Sequence, residues 1–260
     1  MDLLVLETAA GDPAANLAWE EALVRAAPAA PVLRIWQNPR CVVLGRAQRA
    51  EREVDLAACA AAGVPVLRRA SGGGTVYHDL GNLNISLTAP GWEPGLAADL
   101  AGLLAGLLQR LGVAAAVTSR GVFAGPVKVS GLASQLTRGA TLAHATLLVT
   151  TPAAQVTAFL RPAPPDPRPL DSHRSPVSPL SELARGLSVP AARAAVLAAA
   201  TGRYGTLAPR PPRPPETGWQ QRLLAQRYRS DTWHLAGRGG PAEWKREAQW
   251  TTRPAASCTG

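Results

Sequence analysis

The sequence predicts an α+β fold, a mixed or antiparallel sheet packed with helices. Three observations carry this. Short β-branched and apolar runs arrive in hairpins and meanders, helical stretches fall between these groups, and no regular βαβ alternation is present. A chain of 260 residues, 47% hydrophobic and 17% charged, can bury a core as one or two domains and is too apolar to be disordered.

LLVLET (3–8) reads as the first strand. A helix follows from Asp12, with Asp12 as N-cap, Pro13 in the first helical position and apolar residues at helical spacing. PVLRIW and CVVLGR, separated by QNPR, carry a hairpin signature, and residues 51–62 form a helix stopped by Gly63. VPVLRR, GTVYHD and NLNISLT are three successive strands, and GLAADLAGLLAGLLQRLG is a strong helix. AAAVTS, GPVKVSG and ATLLVTT are further strands, and PAAQVTAFL is a short helix. Seven prolines in 161–179 predict an extended connector. SPLSELARG and VPAARAAVLAAATG are helices, LAPRPPRPPE reads as polyproline II, a helix spans about 217–228, and DTWHL reads as a strand. A poorly ordered tail is expected from about Gly237, and no internal repeat is present.

The net charge of +9 suggests a polynucleotide partner, but its distribution argues otherwise. Residues 1–184 carry 15 basic and 14 acidic residues, whereas 185–260 carry 12 and 4. The excess lies among prolines and small residues without a zinc finger, RNP motif or recognition helix, so no nucleic acid is expected. A solvated basic face or docking of an acidic protein fits better. No apolar run is long enough to span a membrane, and MDLLVLETAAGDP lacks a basic segment before its apolar stretch. Three cysteines, at 41, 59 and 258, form no CxxC pair and fit a reducing cytoplasm. Cys41 and Cys59 sit in apolar surroundings and read as small buried hydrophobes. Only Lys128 and Lys245 are lysines among 27 basic residues, so each stands where arginine was not used.

RRASGGGTVYHDLGNLNISL (68–87) holds the chemistry-bearing residues. Three consecutive glycines let backbone N–H groups approach an anion, and Arg69 and Ser71 flank them. No GK[ST] follows, so this is not a Walker loop. The triplet alone reads as a glycine-rich hairpin loop. Polar residues packed inside apolar strands point instead to a site, because buried polar groups require partners. Lys128 reads equally well as an exposed strand lysine or a catalytic one.

RRASGGGTVYHDLGNLN resembles the signature of the lipoate–protein ligase A family, within the biotin/lipoate protein ligase superfamily. In family order, NLAWEEAL is similar to its N-terminal helix, NPRCVVLGRAQ to its second hairpin, VKVSGLA to its catalytic-lysine strand and HATLLV to its HGTLL strand. HRSPVSPLSEL and RYRSDTWHLAGRGGP resemble its later segments, so the likeness covers roughly residues 3–241. It implies the biotin/lipoate ligase catalytic-domain fold over 1–184, with 185–236 as a helical, proline-rich extension packing on that core and 237–260 as the tail. It further implies two reactions: lipoate or octanoate and Mg-ATP give acyl-adenylate, and the acyl group then passes to a lysine. That lysine belongs to a lipoyl domain of a 2-oxoacid dehydrogenase E2 subunit or to glycine-cleavage H protein.

Joining a carboxylate to a phosphate brings negative charges together, so fixed positive donors are required. The resemblance assigns that role to Lys128, whose slender ammonium enters a crevice where a guanidinium does not fit, and places His144 near the acyl-phosphate site. Arg69, Ser71, Gly72, Gly73, Gly74, His78 and Asn82 carry over to the adenylate-cradling wall, and Val43, Gly45, Arg46 and Leu83 to the acyl tunnel. No metal ligand is assigned, and His173 and His234 have no evident chemical partner.

Four departures stand out. Ser119-Arg120-Gly121-Val122 replaces the family's Asn-Asp pair, Ala145 replaces a glycine, Leu132 stands where small residues are common, and no C-terminal accessory domain follows. Some relatives carry that domain on a separate polypeptide. Two alternatives stay open: an ATP-independent octanoyl or lipoyl transferase of the same fold, which needs a site cysteine, and a non-catalytic paralogue that binds an acyl chain or a lipoyl domain. Between residues 59 and 258 there is no cysteine.

Overall fold

Residues 82–89, NLNISLTA, alternate polar and apolar side chains, yet the strand they form is buried on both faces. That pattern organises the computed structural model, which describes residues 3–8 and 11–237. Along the chain, β1 (Leu3–Leu6), α1 (Pro13–Ala26), β2 (Val32–Trp36) and β3 (Cys41–Leu44) come first. Helices α2 (Ala50–Glu53) and α3 (Leu56–Ala61) lead to β4 (Val66–Arg68), β5 (Val76–His78) and β6 (Asn82–Pro90). After α4 (Leu96–Arg110) follow β7 (Ala116–Thr118), β8 (Gly121–Ala124), β9 (Val127–Ser130), β10 (Leu132–Leu136) and β11 (Ala140–Leu148). Next are α5 (Ala153–Thr157), α6 (Leu180–Leu183), α7 (Val189–Tyr204) and β12 (Leu207–Arg210). Helix α8 (Pro214–Leu223) continues through a π-helical turn, Leu224–Tyr228, towards α9 (Asp231–Ala236).

The main sheet has the order β10-β11-β6-β2-β1-β12, antiparallel from β10 to β2 and parallel from β2 to β12. The α+β prediction with a mixed sheet is what the structure contains. On one face, Leu83, Ile85 and Leu87 of β6 join the leucines of α4 and Val196 of α7 in the largest core cluster. Helix α4 buries Leu100, Leu103, Leu104, Leu107 and Leu108. At roughly 1.5–3 kcal/mol per buried leucine, this outweighs the approximately 1 kcal/mol that Gly102 and Gly106 each cost the helix. The opposite face receives α1, whose Leu17, Ala18 and Leu23 pack with Leu6, Val32 and Trp36. A second sheet, β4-β3-β5, covers the rest of that face, and β7-β8-β9 forms a separate meander. Between the main sheet and its α1-side cover the polar half of β6 is enclosed.

Several local expectations are corrected. Residues 31–46 do not form a hairpin: β2 pairs with β1 and β6, while β3 lies between β4 and β5. Asn38 in the connecting turn is buried and bonded to Asn16 and His78, so the turn crosses between sheets. The glycine-rich loop likewise joins β4 to β5 across the end of β3 rather than closing a hairpin. The 51–62 helix breaks at Val54, which turns extended and bridges Leu160. DTWHL is helical, because Ser230 caps it through the Trp233 N–H and the cap outweighs the β-propensity of Thr and Trp. Leu207–Arg210 is a strand rather than polyproline II; as the sheet edge it tolerates Pro209, and Pro214 opens α8. Strands β8 and β10 had no signature in the sequence reading. The segment beyond residue 184 supplies α7 to the main core and β12 to the main sheet. The expected tail from about Gly237 falls outside the described residues from 238 onward.

Candidate active site

Two rows of side chains cross the main sheet, and Ala133, His144, Thr146, Asn84 and Trp36 from them form the floor of an inner cavity. In one row Ala133, His144, Ser86 and Arg34 are register partners; in the next, Thr146, Asn84 and Trp36. Leu17 and Glu20 of α1 and Val43, Val76 and His78 of the small sheet close over them. Strand alternation therefore turns the polar half of β6 inward to a cavity rather than outward to water.

The first row carries a continuous hydrogen-bond chain. Arg69 Nε donates to Ser71 Oγ at 3.0 Å, and Ser71 Oγ lies 2.7 Å from His144 Nε2. His144 Nδ1 lies 2.9 Å from Glu20 Oε2, and Ser86 donates to the other Glu20 oxygen while accepting from Trp36 Nε1 at 2.9 Å. Arg69 can only donate, so the Ser71 hydroxyl proton is free to point at His144 Nε2, and His144 Nδ1–H then donates to Glu20. Burial pushes the Glu20 carboxyl up, but His144, Ser86 and Arg34 outweigh it and the net shift is downward. Glu20 is thus a buried carboxylate held by donors, and His144 is locked in orientation with one edge on the cavity.

Lys128, on β9, stands where three openings meet: the inner cavity, a cleft towards α5, and a cleft walled by Gly72–Gly74, Arg120 and residues 169–173. Its backbone N–H donates to Pro176 O at 2.8 Å, which holds the strand against the proline-rich connector. Burial lowers the ammonium's pKa, and the Arg120 guanidinium lowers it further. Arg120 therefore adds a second positive charge to the outer cleft. Gly121 is required there by sterics: at φ +136° a Cβ would lie 2.2 Å from Ser130 O.

The other expected residues separate into distinct places. Arg69 is buried, and besides Ser71 its N–H groups hold the loop carbonyls of Gly72 and Gly74 and the Val43 carbonyl. Burial lowers its pKa to about 10, with Glu20 opposing, so it remains cationic at neutral pH. Gly73, at φ +83°, sits against Gly45, where a Cβ would lie 2.0 Å from Gly73 O. Gly45 thereby docks two loops and does not line the inner cavity; Val43 does. Gly72 needs neither positive φ nor space within the protein, since a Cβ there meets nothing within 4 Å. Asn82 lines the α5-side cleft and donates to Asn84 Oδ1 at 3.1 Å. Leu83, expected in the acyl wall, is corrected: alternation turns it to the opposite face, into the α4 core. The Arg46 side chain is exposed, while its N–H donates to Ser71 O at 2.9 Å. Ala145 and Leu132, opposite each other in register, both line the cavity.

Glu20, Trp36, Asn38 and Asn84 were not read as site residues. Their signal was present: Asn16 and Glu20 put polar groups four residues apart on an otherwise apolar helix face, and Asn82, Asn84 and Ser86 alternate in a strand flanked by core strands. His173, without an evident role in the sequence, lines all three openings around Lys128, whereas His234 is structural, accepting from Arg68 N at 3.0 Å. The connector places Ser172 against Thr75 N–H (2.8 Å) and Gln48 (2.9 Å), so it forms one wall of the site. Cys41 and Cys59 are buried, burial raises both thiols, and neither lines these openings; Cys258 is outside the described residues.

The lipoyl protein ligase A/B catalytic domain family matches residues 12–201. An Aeropyrum pernix protein assigned as a lipoate-protein ligase A is 40% identical over 165 residues, 61% of this chain. That match takes in 62% of the relative's own length, less than two thirds of it. Among solved structures, a bipartite lipoate protein ligase from Thermoplasma acidophilum, described with its E2 lipoyl domain, superposes with a TM-score of 0.80 at 26% identity, covering 93% of this chain and 98% of that one. A lipoate-protein ligase A bound with ATP gives 0.81 at 25% identity, over 92% and 100%. With the family match spanning most of the chain and agreement in fold over nearly all of it, this chain belongs to the lipoyl protein ligase A/B catalytic domain family.

Proposed function

We propose that this chain activates lipoate or octanoate with ATP to the acyl-adenylate and transfers the acyl group to a protein lysine. The observation that carries this is the position of Lys128, where an inner cavity of mixed apolar and polar lining opens into clefts walled by glycines and cations. An acid lying in the inner cavity presents its carboxylate to Lys128, and a nucleotide in the adjoining cleft presents its α-phosphate to the same ammonium. Carboxylate oxygen attacks the α-phosphorus, the bond to the bridging oxygen breaks, and pyrophosphate leaves. Lys128 offsets charge on both reacting groups, and Arg120 adds positive potential at the cleft. In the second step a neutral lysine amine attacks the acyl carbonyl, AMP leaves, and the amine proton passes to solvent or phosphate. The Arg69–Ser71–His144–Glu20 chain keeps the cavity wall in place.

Mg2+ is part of the proposal only as a companion of the nucleotide phosphates. Among the described residues no group of three or more His, Cys, Asp or Glu side chains could hold a metal. Asp171, in the glycine-walled cleft, is bound to Arg52, whose hydrogen bond lowers it to about 2. The buried cysteines favour this reading over a thioester transferase. Acceptor proteins are proposed to be lipoyl domains of 2-oxoacid dehydrogenase E2 subunits and glycine-cleavage H protein, with a separate accessory protein as in the bipartite relative. No described helix is long and apolar enough to cross a membrane, and a cytoplasmic location is proposed.

ATP–pyrophosphate exchange with lipoate and octanoate, with and without an accessory subunit, tests the reading. Exchange is expected; its absence under every condition sinks it. Lys128→Ala should abolish exchange while the melting temperature stays near that of the parent, and near-normal turnover would refute the role given to Lys128.

A further inference from the structure

At the end of the inner cavity away from Lys128 two side chains of its lining each carry a buried donor without a protein partner: His78 Nε2 and Asn84 Nδ2. An unpaired buried N–H is costly, so two in one cavity call for a ligand. Their donor character follows from the neighbours. Arg34, fully buried and with its pKa lowered to about 9 by burial, remains a cation at neutral pH and can only donate. It donates to Asn16 Oδ1, so the Asn16 amide nitrogen faces Asn38 Oδ1 at 2.9 Å. The Asn38 amide nitrogen then faces His78 Nδ1 at 3.1 Å and donates to it. His78 Nδ1 is therefore an acceptor, which leaves the proton on Nε2. Burial and the Arg69 charge hold the ring neutral, with its pKa down at about 3. Asn84 Oδ1 is taken by Asn82, which leaves its amide N–H groups for the cavity.

The placement matches the far end of an acid whose carboxylate meets Lys128. Gly131 N lies 3.1 Å from Thr146 Oγ1, and Thr146, Asn84 and Trp36 follow across the sheet. At about 4.8 Å per strand, Asn84 is about 10 Å and Trp36 about 14 Å from the Gly131 backbone beside Lys128. His78 packs edge-on to Trp36, ring centroids 6.1 Å apart.

We infer that this end of the cavity is a donor cap that selects acids carrying a hydrogen-bond acceptor at their far end, a dithiolane sulfur or a hydroxyl oxygen, over acids ending in a plain alkyl chain. The inference rests on the acid-binding role proposed above. An alkyl end pairs neither donor; an acceptor pairs at least one. Sulfur is a weak acceptor, so the hydroxyl acid should gain most.

Equilibrium binding of the free acids to the intact chain, by titration calorimetry without ATP, tests this. The expected order is 8-hydroxyoctanoate tightest, lipoate next and octanoate weakest, with about tenfold or more between the first and last. A purely apolar tunnel gives the reverse order of the hydroxy acid and octanoate. His78→Leu and, separately, Asn84→Leu should shrink the preference by strengthening octanoate. Octanoate binding as tightly as the hydroxy acid overturns the cap, as does an unchanged preference in both folded variants. The wild-type series stands even where a variant does not fold. Binding with the expected preference but no pyrophosphate exchange overturns the proposed reaction alone; no binding of any acid overturns both.

Discussion

Lys128 shows how a residue's surroundings set its chemistry. Burial and the neighbouring Arg120 both disfavour the ammonium, so its pKa lies below that of a free lysine. As pH rises through this lowered pKa, the charge proposed to meet carboxylate and phosphate is lost. Removing Arg120 removes a like charge and raises the pKa, which moves the alkaline limb upward. Arg120→Ala should therefore extend the alkaline limb of kcat/KM for exchange to higher pH while weakening nucleotide binding; an unmoved limb would show that Arg120 does not act on Lys128. Glu20→Gln tests the other end of the site. The carboxylate accepts from His144 and Ser86, and an amide removes its charge and puts an N–H group where one accepting oxygen stood. Loss of about 1–3 kcal/mol is expected, read as roughly a tenfold to hundredfold fall in exchange kcat/KM. Lys128 was singled out by its rarity and by the resemblance of VKVSGLA to the family's lysine strand. The value of Glu20 was not legible, because a glutamate in a helix ordinarily faces water and only the packing of α1 on the sheet buries this one.

At the scale of elements, the glycine-rich loop separates two uses of the same residue type. Gly45 is held by its neighbour: a methyl group there would meet the Gly73 carbonyl at 2.0 Å, backbone against backbone. Gly45→Ala should displace the loop, lower stability by about 1–3 kcal/mol in a thermal or urea melt and abolish exchange. Gly72 has open space around it, so Gly72→Ala should fold with unchanged stability yet raise the KM for ATP. Equal melting temperatures for the two variants would refute this distinction. The triplet itself was plain in the sequence. That it spans β3 rather than closing a hairpin was not, because strand pairing is decided by which apolar faces meet and not by chain proximity. The same reason explains the missed hairpin at 31–46. The polar residues of β6, read as buried groups in need of partners, are buried, and the fold supplies the internal cavity beside them.

Over the whole molecule, Arg68 ties the C-terminal segment to the site. Its buried guanidinium donates to the carbonyls of Trp233, His234 and Leu235 on α9 and of Gly45, Arg46 and Gln48 beside the glycine loop. Arg68→Leu strands those carbonyls and should cost about 3 kcal/mol or more, measured as a shifted urea midpoint, with exchange activity falling as α9 loosens. An unchanged midpoint would refute the coupling. From residues alone, α9 was a strand and the chain beyond 184 an extension; in the fold β12 completes the sheet and α7 its core. What the sequence by itself determined was the α+β class, most helices, the Asp12 cap of α1 and the glycine block, while Lys128 stood out by its rarity and His144 by resemblance to the family. The first of these rest on local periodicity, capping and composition. The tertiary structure alone decided which strands are neighbours, that the polar face of β6 looks into a cavity, and that Arg34, through two amides, sets the tautomer of His78. Each of those depends on groups distant in sequence sharing one buried space, where an unpaired donor or charge is costly and so must find its partner.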